Sequence, residues 1–257
     1  MLARDVLHAA DDVARDAGEA GRLAKADLAT DMVREFTELQ GVMGGIYARE
    51  EGLSERIWRA IYYHYLPLGI EVDAPPSAAQ LGGAAIAWAA VSLADKLDTL
   101  VGLFAAGDRP TGSRDPFGLR RAAHGVFRVL VDLPALTGLE ARPTVQALVD
   151  AADRVHEIHL DGAARAALGA FLEERLSYLL QERGFDARTV RAVTRDRGME
   201  RLRPLDELRK LEVLPEFTRS EEFQRLATAF KRVSNISREV ARSEEHTSEL
   251  QSRFGIS

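Results

Sequence analysis

The chain carries its clearest folding signal in Ile86-Ala-Trp-Ala-Ala-Val-Ser-Leu-Ala-Asp-Lys-Leu-Asp-Thr-Leu-Val-Gly-Leu-Phe104. Apolar residues recur there at alternating steps of three and four, the spacing of one face of an α-helix; they are Ile86, Ala90, Leu93, Leu97, Leu100 and Phe104. The pattern predicts one long helix from about Ala78 to Ala105. Asp95 and Asp98 are three residues apart, so they fall on roughly the same side of that helix.

Helical spacing also dominates the residues before this stretch. Leu28, Met32, Phe36 and Leu39 form an apolar face, and a weaker one precedes them between Val6 and Ala17. We expect the glycines at 41, 44 and 45 to interrupt the next segment. A further helix is predicted from Leu53 to Tyr65, stopped near Pro67, and a loop from Leu66 to Ser77.

After the long stretch, Asp115-Pro116 predicts a helix start with Asp at the N-cap and Pro at the first helical position. That helix should stop before Pro134. A second group of helices is predicted at Val145–His159, Ala163–Arg183, Ala187–Val193, Pro204–Val213 and Ser220–Val240. No alternating pattern is long enough for a sheet, so the predicted fold class is all-α.

Composition excludes several classes of protein. The chain has 257 residues, with 30 Arg but only 4 Lys and 40 acidic residues. Its formal charge of −6 excludes a uniformly basic nucleic-acid module. Because it has no Cys, disulfides and thiolate sites are excluded as well. The uncharged run Ala74–Ala94 is mostly Ala, Gly, Pro and Ser, which is too weakly apolar for a spanning helix. Acidic residues at 5, 11 and 12 disfavour a secretory signal. We therefore expect a soluble cytoplasmic protein.

Common catalytic motifs are absent from the sequence. There is no GxxxxGK[ST] phosphate loop, no GxGxxG after a strand and no HExxH. His156 and His159, with Asp153 and Asp161 nearby, could bind a metal weakly, but a solvated helix face is the favoured interpretation. We identify no catalytic residue and no cofactor for this chain.

The segment Ser92–Leu100 resembles the final aspartate motif of HD-type phosphohydrolases, in which an Asp on a helix completes a His, His-Asp, Asp metal site. The dipeptide His-Asp occurs nowhere in the chain, so a metal would lack its imidazole ligands. Asp95 then belongs either to a degenerate, non-catalytic HD-like fold or to an ordinary polar pair. We expect no metal site, with Asp95 and Asp98 near Lys, Arg or helix-end donors rather than imidazoles.

Arginine density marks two candidate anion-binding regions. Seven Arg against three acidic residues give residues 183–203 a net charge of +4, a candidate phosphate-facing patch that includes Arg183, Arg188 and Arg191. The alternative is that Arg simply replaces Lys on solvated faces. The turn Gly112–Phe117 presents a helix start beside Arg114, Arg120 and Arg121, unless Asp115 itself occupies the free N–H groups.

Several segments, in order along the chain, resemble the β subunit of the bacterial heterotetrameric glycyl-tRNA synthetase. They are Leu23–Phe36, Glu38–Gly44, Tyr47–Ala48, His64–Pro67, Ala94–Gly102, Pro110–Phe117, Leu119–Ala122, Phe171–Leu176 and Lys231–Ile236. The resemblance covers residues 22–236 and implies an internal-to-C-terminal fragment. Small departures occur, such as Leu28-Ala-Thr30 where the family usually has Val or Met in the middle.

The resemblance implies a degenerate HD-like helical domain at 1–135, truncated at its start, followed at 136–241 by a linker and a truncated helical anticodon-binding domain. It implies that the chain recognises glycine tRNA as part of glycine–tRNA ligase, while a separate α subunit, using ATP and Mg, performs the chemistry. No membrane or DNA partner is expected. Candidate tRNA-binding residues are Arg114, Arg120, Arg121, Arg183, Arg188, Arg191, Lys231, Arg232 and Asn235. The alternatives are an HD-type phosphohydrolase and a non-enzymatic helical interaction module.

The last residues differ in kind from the rest. Arg242–Ser252 matches the in-frame translation of a common sequencing-library adaptor, so we interpret 242–257 as a non-native tail and expect that the natural chain continued past Ala241. The tail has few apolar residues, and we expect it to pack poorly while continuing the preceding helix by propensity.

Overall fold

A computed structural model describes residues 2–68, 74–195 and 197–254, with side chains described as far as residue 237. Within those ranges the fold is all-α, as predicted, and the only extended pairing is an isolated antiparallel bridge between Thr111 and Arg114. The chain divides into two compact units, residues 1–209 and 210–257. The predicted domain boundary near residue 135 falls inside the first unit. No helix in the described ranges is both long enough and apolar enough to cross a membrane.

Helix α6 (Ala85–Ala105) is the central element of the first unit. It packs against α1 (Asp11–Leu23), α4 (Glu55–Tyr63), α7 (Leu119–Thr137), α8 (Val145–Asp153) and α9 (Gly162–Glu182). Residues 87–93 are all buried, because the alanines among them let neighbouring helices approach closely on every side. After Ala94, only the residues on one face of the helix are buried. The predicted start at Ala78 is wrong. Ala78–Leu81 is a separate short helix, α5, joined to α6 by a 3₁₀ turn over Gly82–Ala84.

The region before α6 contains short helices that side chains cap. After a π-helical turn at Leu2–Val6 come α1, a 3₁₀ turn at Ala26–Ala29, α2 (Asp31–Glu35), a second 3₁₀ turn at Thr37–Leu39, α3 (Val42–Glu50) and α4. Thr30 and Ser54 cap α2 and α4 by accepting hydrogen bonds from backbone N–H groups. The predicted loop Leu66–Ser77 contains no helix where it is described, and residues 69–73 lie outside the described ranges.

The glycines at 44 and 45 do not interrupt a helix, contrary to expectation; they lie inside α3. A Cβ on Gly45 would come within 2.5 Å of the Tyr62 Cβ and 2.8 Å of the Tyr62 Cα on α4. These residues therefore serve close packing between α3 and α4 rather than chain breaking. Sequence spacing could not reveal this, because the same residue type weakens a helix and permits close contact.

Helix α7 begins later and ends later than predicted. It starts at Leu119 after Gly118 in a left-handed conformation, and Asp115 accepts hydrogen bonds from the N–H groups of Leu119 (2.8 Å) and Arg120 (3.0 Å). Asp115 thus caps the helix from four residues away instead of standing at its N-cap. The helix also continues through Pro134 to Thr137.

The remaining helices follow the predicted order with shifted ends. Helix α8 stops at Asp153, six residues before His159, and α9 and α10 (Ala187–Thr194) keep their predicted places. Asp161 and Asp186 cap α9 and α10. Helix α11 runs Pro204–Arg219, and α12 runs Glu221–Phe254. The expected continuation of the last helix into the tail is observed for the backbone; the packing of side chains 242–257 lies outside the described residues.

Candidate functional site

A groove of about 420 Å³ lies between α9 and α10, where an aromatic ring and several arginines meet. The ring is that of Tyr178, which is 39% exposed. The Arg175 guanidinium lies over it at 5.3 Å from the ring centroid, and Arg191 and Arg195 line the facing wall. An exposed aromatic ring with a guanidinium on it is a surface on which a nucleobase can stack.

Three arginines lie close to a buried histidine behind this groove. Arg128, Arg175 and Arg183 surround His124, whose ring lies 6.5 Å from that of Tyr178. Burial lowers the pKa of His124, and the three guanidinium charges lower it further. Two carboxylates also line the groove, those of Glu173 and Glu174, and Glu174 pairs with Arg175. The exposed guanidinium groups of the groove are those of Arg191 and Arg195, on and just after α10.

The structure separates the predicted arginines of this region. Arg188 and Arg191 are exposed on α10, although the Arg191 Nε also donates to the Ala187 carbonyl at 3.3 Å. Arg183 is different: its side chain is 14% exposed and donates to Asp132 at 2.6 Å. Asp132 also accepts from the Nε of Arg128, a side chain 4% exposed. Arg183 thus holds α9 to α7 inside the fold.

The Gly112–Phe117 turn does not present a helix N-terminus with all its N–H groups free. Asp115 takes two N–H groups that could have bound an anion, and the Arg120 side chain donates to the Gly112 carbonyl at 2.7 Å. Arg114 and Arg121 are exposed. An anion at this turn would therefore depend on arginine side chains rather than on the helix dipole.

In the second unit, three predicted residues are exposed on α12 within two turns of each other: Lys231, Arg232 and Asn235. Exposure leaves these three side chains accessible to an outside partner.

Asp95, the residue of the HD-like motif, lies in a cluster centred on a lysine. The Lys25 Nζ donates to Asp95 Oδ1 at 2.7 Å and to His64 Nε2 at 3.1 Å, and lies 3.7 Å from the centroid of the Tyr65 ring. The expectation of a basic partner for Asp95 is confirmed. A second ammonium, that of Lys96, donates to Ser92 Oγ at 2.8 Å and to the backbone carbonyls of residues 64–66 at 3.1–3.4 Å.

Both buried bases in this cluster have shifted pKa values. Burial and the charge of Lys25 lower the pKa of His64 to about 4, so the imidazole is neutral at pH 7. Burial lowers the pKa of Lys96 to about 8. Because His64 Nδ1 lies 2.6 Å from the Ile61 carbonyl, which can only accept, the ring proton is on Nδ1 and the Nε2 lone pair faces Lys25.

The expectation for Asp98 is wrong, because it stands beside an imidazole. Asp98 Oδ1 lies 3.3 Å from His156 Nε2, and Gly102 makes room for that ring. His159 instead turns to Asp153, with Nδ1 3.0 Å from the Asp153 carbonyl. Among the residues described, no three His, Asp or Glu side chains are grouped so that they could hold a metal ion.

Sequence reasoning missed Tyr178 and Arg175. A signal was available, since the two are three residues apart and share one face of α9. Nothing in the sequence indicated that this face would meet α10, because that meeting depends on the turn through Gly184 (φ +90°).

Comparisons with known proteins point to one family. The family model described as "Glycyl-tRNA synthetase beta subunit" matches residues 1–195. A protein of Acidobacterium capsulatum named "Glycine--tRNA ligase beta subunit" is 38% identical over 245 residues, 93% of this chain and 32% of the relative. Relatives of the same name from Acidovorax sp. and Leptothrix cholodnii are 42% and 43% identical, over 90% and 85% of this chain.

The chain spans about a third of the length of these relatives. The family model nevertheless covers more than half of the chain, including every helix from α1 to α10. The resemblance stated from the sequence motifs is confirmed: the chain belongs to the glycyl-tRNA synthetase β-subunit family.

Proposed function

We propose that this chain is a tRNA-recognising part of the β subunit of glycine–tRNA ligase. On this proposal it supports glycyl-tRNA formation in the cytoplasm, with glycine tRNA and the α subunit as partners. The α subunit supplies the ATP- and Mg-dependent chemistry, and this chain alone is non-catalytic. Membership in the family carries the proposal.

The groove between α9 and α10 supports tRNA recognition in particular. Specific RNA contacts favour unstacked bases, which stack on aromatic rings and guanidinium planes. Tyr178 offers an exposed ring with Arg175 against it, and Arg191 on the opposite wall lies within the same groove to meet a phosphate. A stacked base and a neighbouring phosphate would use both walls at once.

The test is filter binding of the full chain to glycine tRNA across a salt series. We expect binding that weakens as salt rises, because phosphate contacts release counterions. Tyr178→Ala should weaken binding about tenfold, within the ~1–3 kcal/mol that one stacked base contributes. Tyr178→Phe keeps the ring and should bind like the unmodified chain.

Two pairs of charge-reversing substitutions distinguish a tRNA-binding site on α10 from a general effect of the chain's net charge. Arg188→Glu with Arg191→Glu removes two exposed cations of α10, whereas Arg15→Glu with Arg49→Glu makes the same charge change on α1 and α3. Binding should fall strongly for the first pair and little for the second. Equal losses would locate recognition elsewhere, and glycine-dependent ATP–pyrophosphate exchange by this chain alone would contradict the division of labour.

Two alternatives make different predictions. A phosphohydrolase would need a metal at Asp95, where the structure has the Lys25 ammonium. A helical interaction module is favoured by exposed apolar residues on α12 such as Leu226, Phe230 and Val233. Absent or salt-insensitive tRNA binding would support the interaction module.

A further inference from the structure

We infer that Lys25 occupies, as a covalently attached cation, a metal-binding position formed by Asp95 and His64, so that the protein contains a latent metal site blocked by its own side chain. The inference is independent of tRNA binding.

The two candidate ligand atoms converge on one point. Asp95 Oδ1 and His64 Nε2 lie 2.7 and 3.1 Å from the Lys25 Nζ, so both face the same cation. One of them is an anionic oxygen, and the other is a nitrogen lone pair. A carboxylate and a neutral imidazole are a ligand pair suited to divalent transition ions.

The imidazole is also held as a metal-binding imidazole is held. Metal-ligating histidines donate their other ring N–H to a carbonyl or carboxylate, which fixes the tautomer. His64 does this through Nδ1 and the Ile61 carbonyl at 2.6 Å, and the ring is fully buried. Removing Lys25 would take away its contact with Nε2 but not the Nδ1 contact with Ile61, so the Nε2 lone pair would stay directed at the vacated position.

A cation could reach the position from solvent. Lys25 and Asp95, together with Asp98, line an open groove of about 400 Å³ whose other walls are mostly alanine and glycine from α1, α6 and α8. The Lys25 side chain is 42% exposed and the Asp95 side chain 21%. A metal held by two protein ligands could keep water molecules on its groove side.

As the protein stands, the residues do not fit the metal that an HD-type fold implies. Lys25 fills the position, and the Lys96 ammonium lies behind the backbone of residues 64–66, so two positive charges flank one carboxylate. A divalent ion would be repelled by both. On this inference, the Lys25 ammonium occupies the position that a metal ion would otherwise hold.

The test is gain of metal binding on removal of the side chain. The 257-residue chain carrying Lys25→Ala is titrated with Ni²⁺ by calorimetry, beside the unmodified chain and the double variant Lys25→Ala/Asp95→Asn. We expect Lys25→Ala to bind Ni²⁺ at least tenfold more tightly than either, with the signal of surface histidines common to all three. Equal binding by all three proteins would overturn the inference.

Two further measurements cover a Lys25→Ala variant that folds poorly. If it is unfolded without metal, Ni²⁺ should restore its helical circular dichroism, and failure to do so contradicts the inference. In the unmodified chain, ¹⁵N NMR should show neutral His64 with its proton on Nδ1 at pH 7. A proton on Nε2 would remove the lone pair from the position and overturn the inference without any variant.

Discussion

The cluster around Lys25 and the groove beside Tyr178 both concentrate positive charge, yet the charges have different partners. Lys25 and Lys96 are held by a carboxylate, an imidazole and four further acceptors within the fold. Arg188 and Arg191 lie exposed on α10. The first arrangement joins helices, and the second leaves cations available to an outside anion. A basic residue therefore indicates a ligand only where the fold does not already supply its counter-charge.

Among the substitutions considered, removal of the Asp132 carboxylate should lower the stability of the fold most. This carboxylate accepts from both Arg128 and Arg183, which are almost buried. Asp132→Ala leaves two guanidinium groups without it, and we expect a loss of about 3–5 kcal/mol in the free energy of unfolding. Urea denaturation followed by circular dichroism measures it; a loss below about 1 kcal/mol would show that other acceptors suffice.

The second largest effect is expected at low pH, where protonation of His64 should destabilise the Lys25 cluster. The pKa of His64 is about 4 in the folded chain and 6.5 as an ordinary value, so the unfolded chain binds more protons between those pH values. Stability from this group is therefore complete above pH 6.5 and falls as the pH drops towards 4, by about 3 kcal/mol.

His64→Gln is the control for this effect, because glutamine can still accept from Lys25 but does not titrate. Unfolding free energies measured from pH 7 to pH 4 should fall less steeply for this variant than for the unmodified chain. Parallel curves would mean that other groups dominate the acid response.

Arg183 and Arg191 lie in the same stretch of chain and allow an internally paired arginine to be compared with an exposed one. Arg183→Gln should cost about 2 kcal/mol of stability, because its largely enclosed side chain donates to Asp132. Arg191→Gln should stay within about 0.5 kcal/mol, as surface substitutions do. Affinity for tRNA should show the reverse order, with the larger loss for Arg191→Gln. The same order in both measurements would contradict the distinction between structural and available arginines.

The smallest effect is expected for the tail. Deleting residues 242–257 should change the free energy of unfolding by less than about 0.5 kcal/mol, the range of changes away from packed features. Thermal unfolding of the 1–241 chain beside the full chain tests this. A fall of many degrees would show that the tail is part of the folded structure.

Sequence patterns predicted the helices well where one signal acted alone. The 3–4 spacing found α6, and the predicted bounds of α9 and α10 agree with the observed helices to within one residue. The failures came where two uses of one residue type compete. Gly45 was expected to break a helix but permits close contact with Tyr62, and Asp115 was expected to start a helix but caps it from a distance.

The site was harder to predict than the fold for the same reason. Arg183 and Arg191 belong to one basic stretch, and only the position of Asp132, 51 residues before Arg183, separates their roles. The sequence does not indicate that Tyr178 is exposed, because a single aromatic residue in a helix usually packs in the core. Such pairings over long sequence distances have no local pattern, so they become visible only in three dimensions.

The enclosure of Lys96 has a consequence for chemical labelling of the protein. The chain has only four lysines, at 25, 96, 210 and 231. Lys96 is 6% exposed and its amine donates to backbone carbonyls, whereas Lys231 is exposed on α12. Amine-reactive reagents should therefore modify Lys231 rapidly and Lys96 only when α4 and α6 separate, so that peptide mass spectrometry of acylated Lys96 would report local opening of the helical centre.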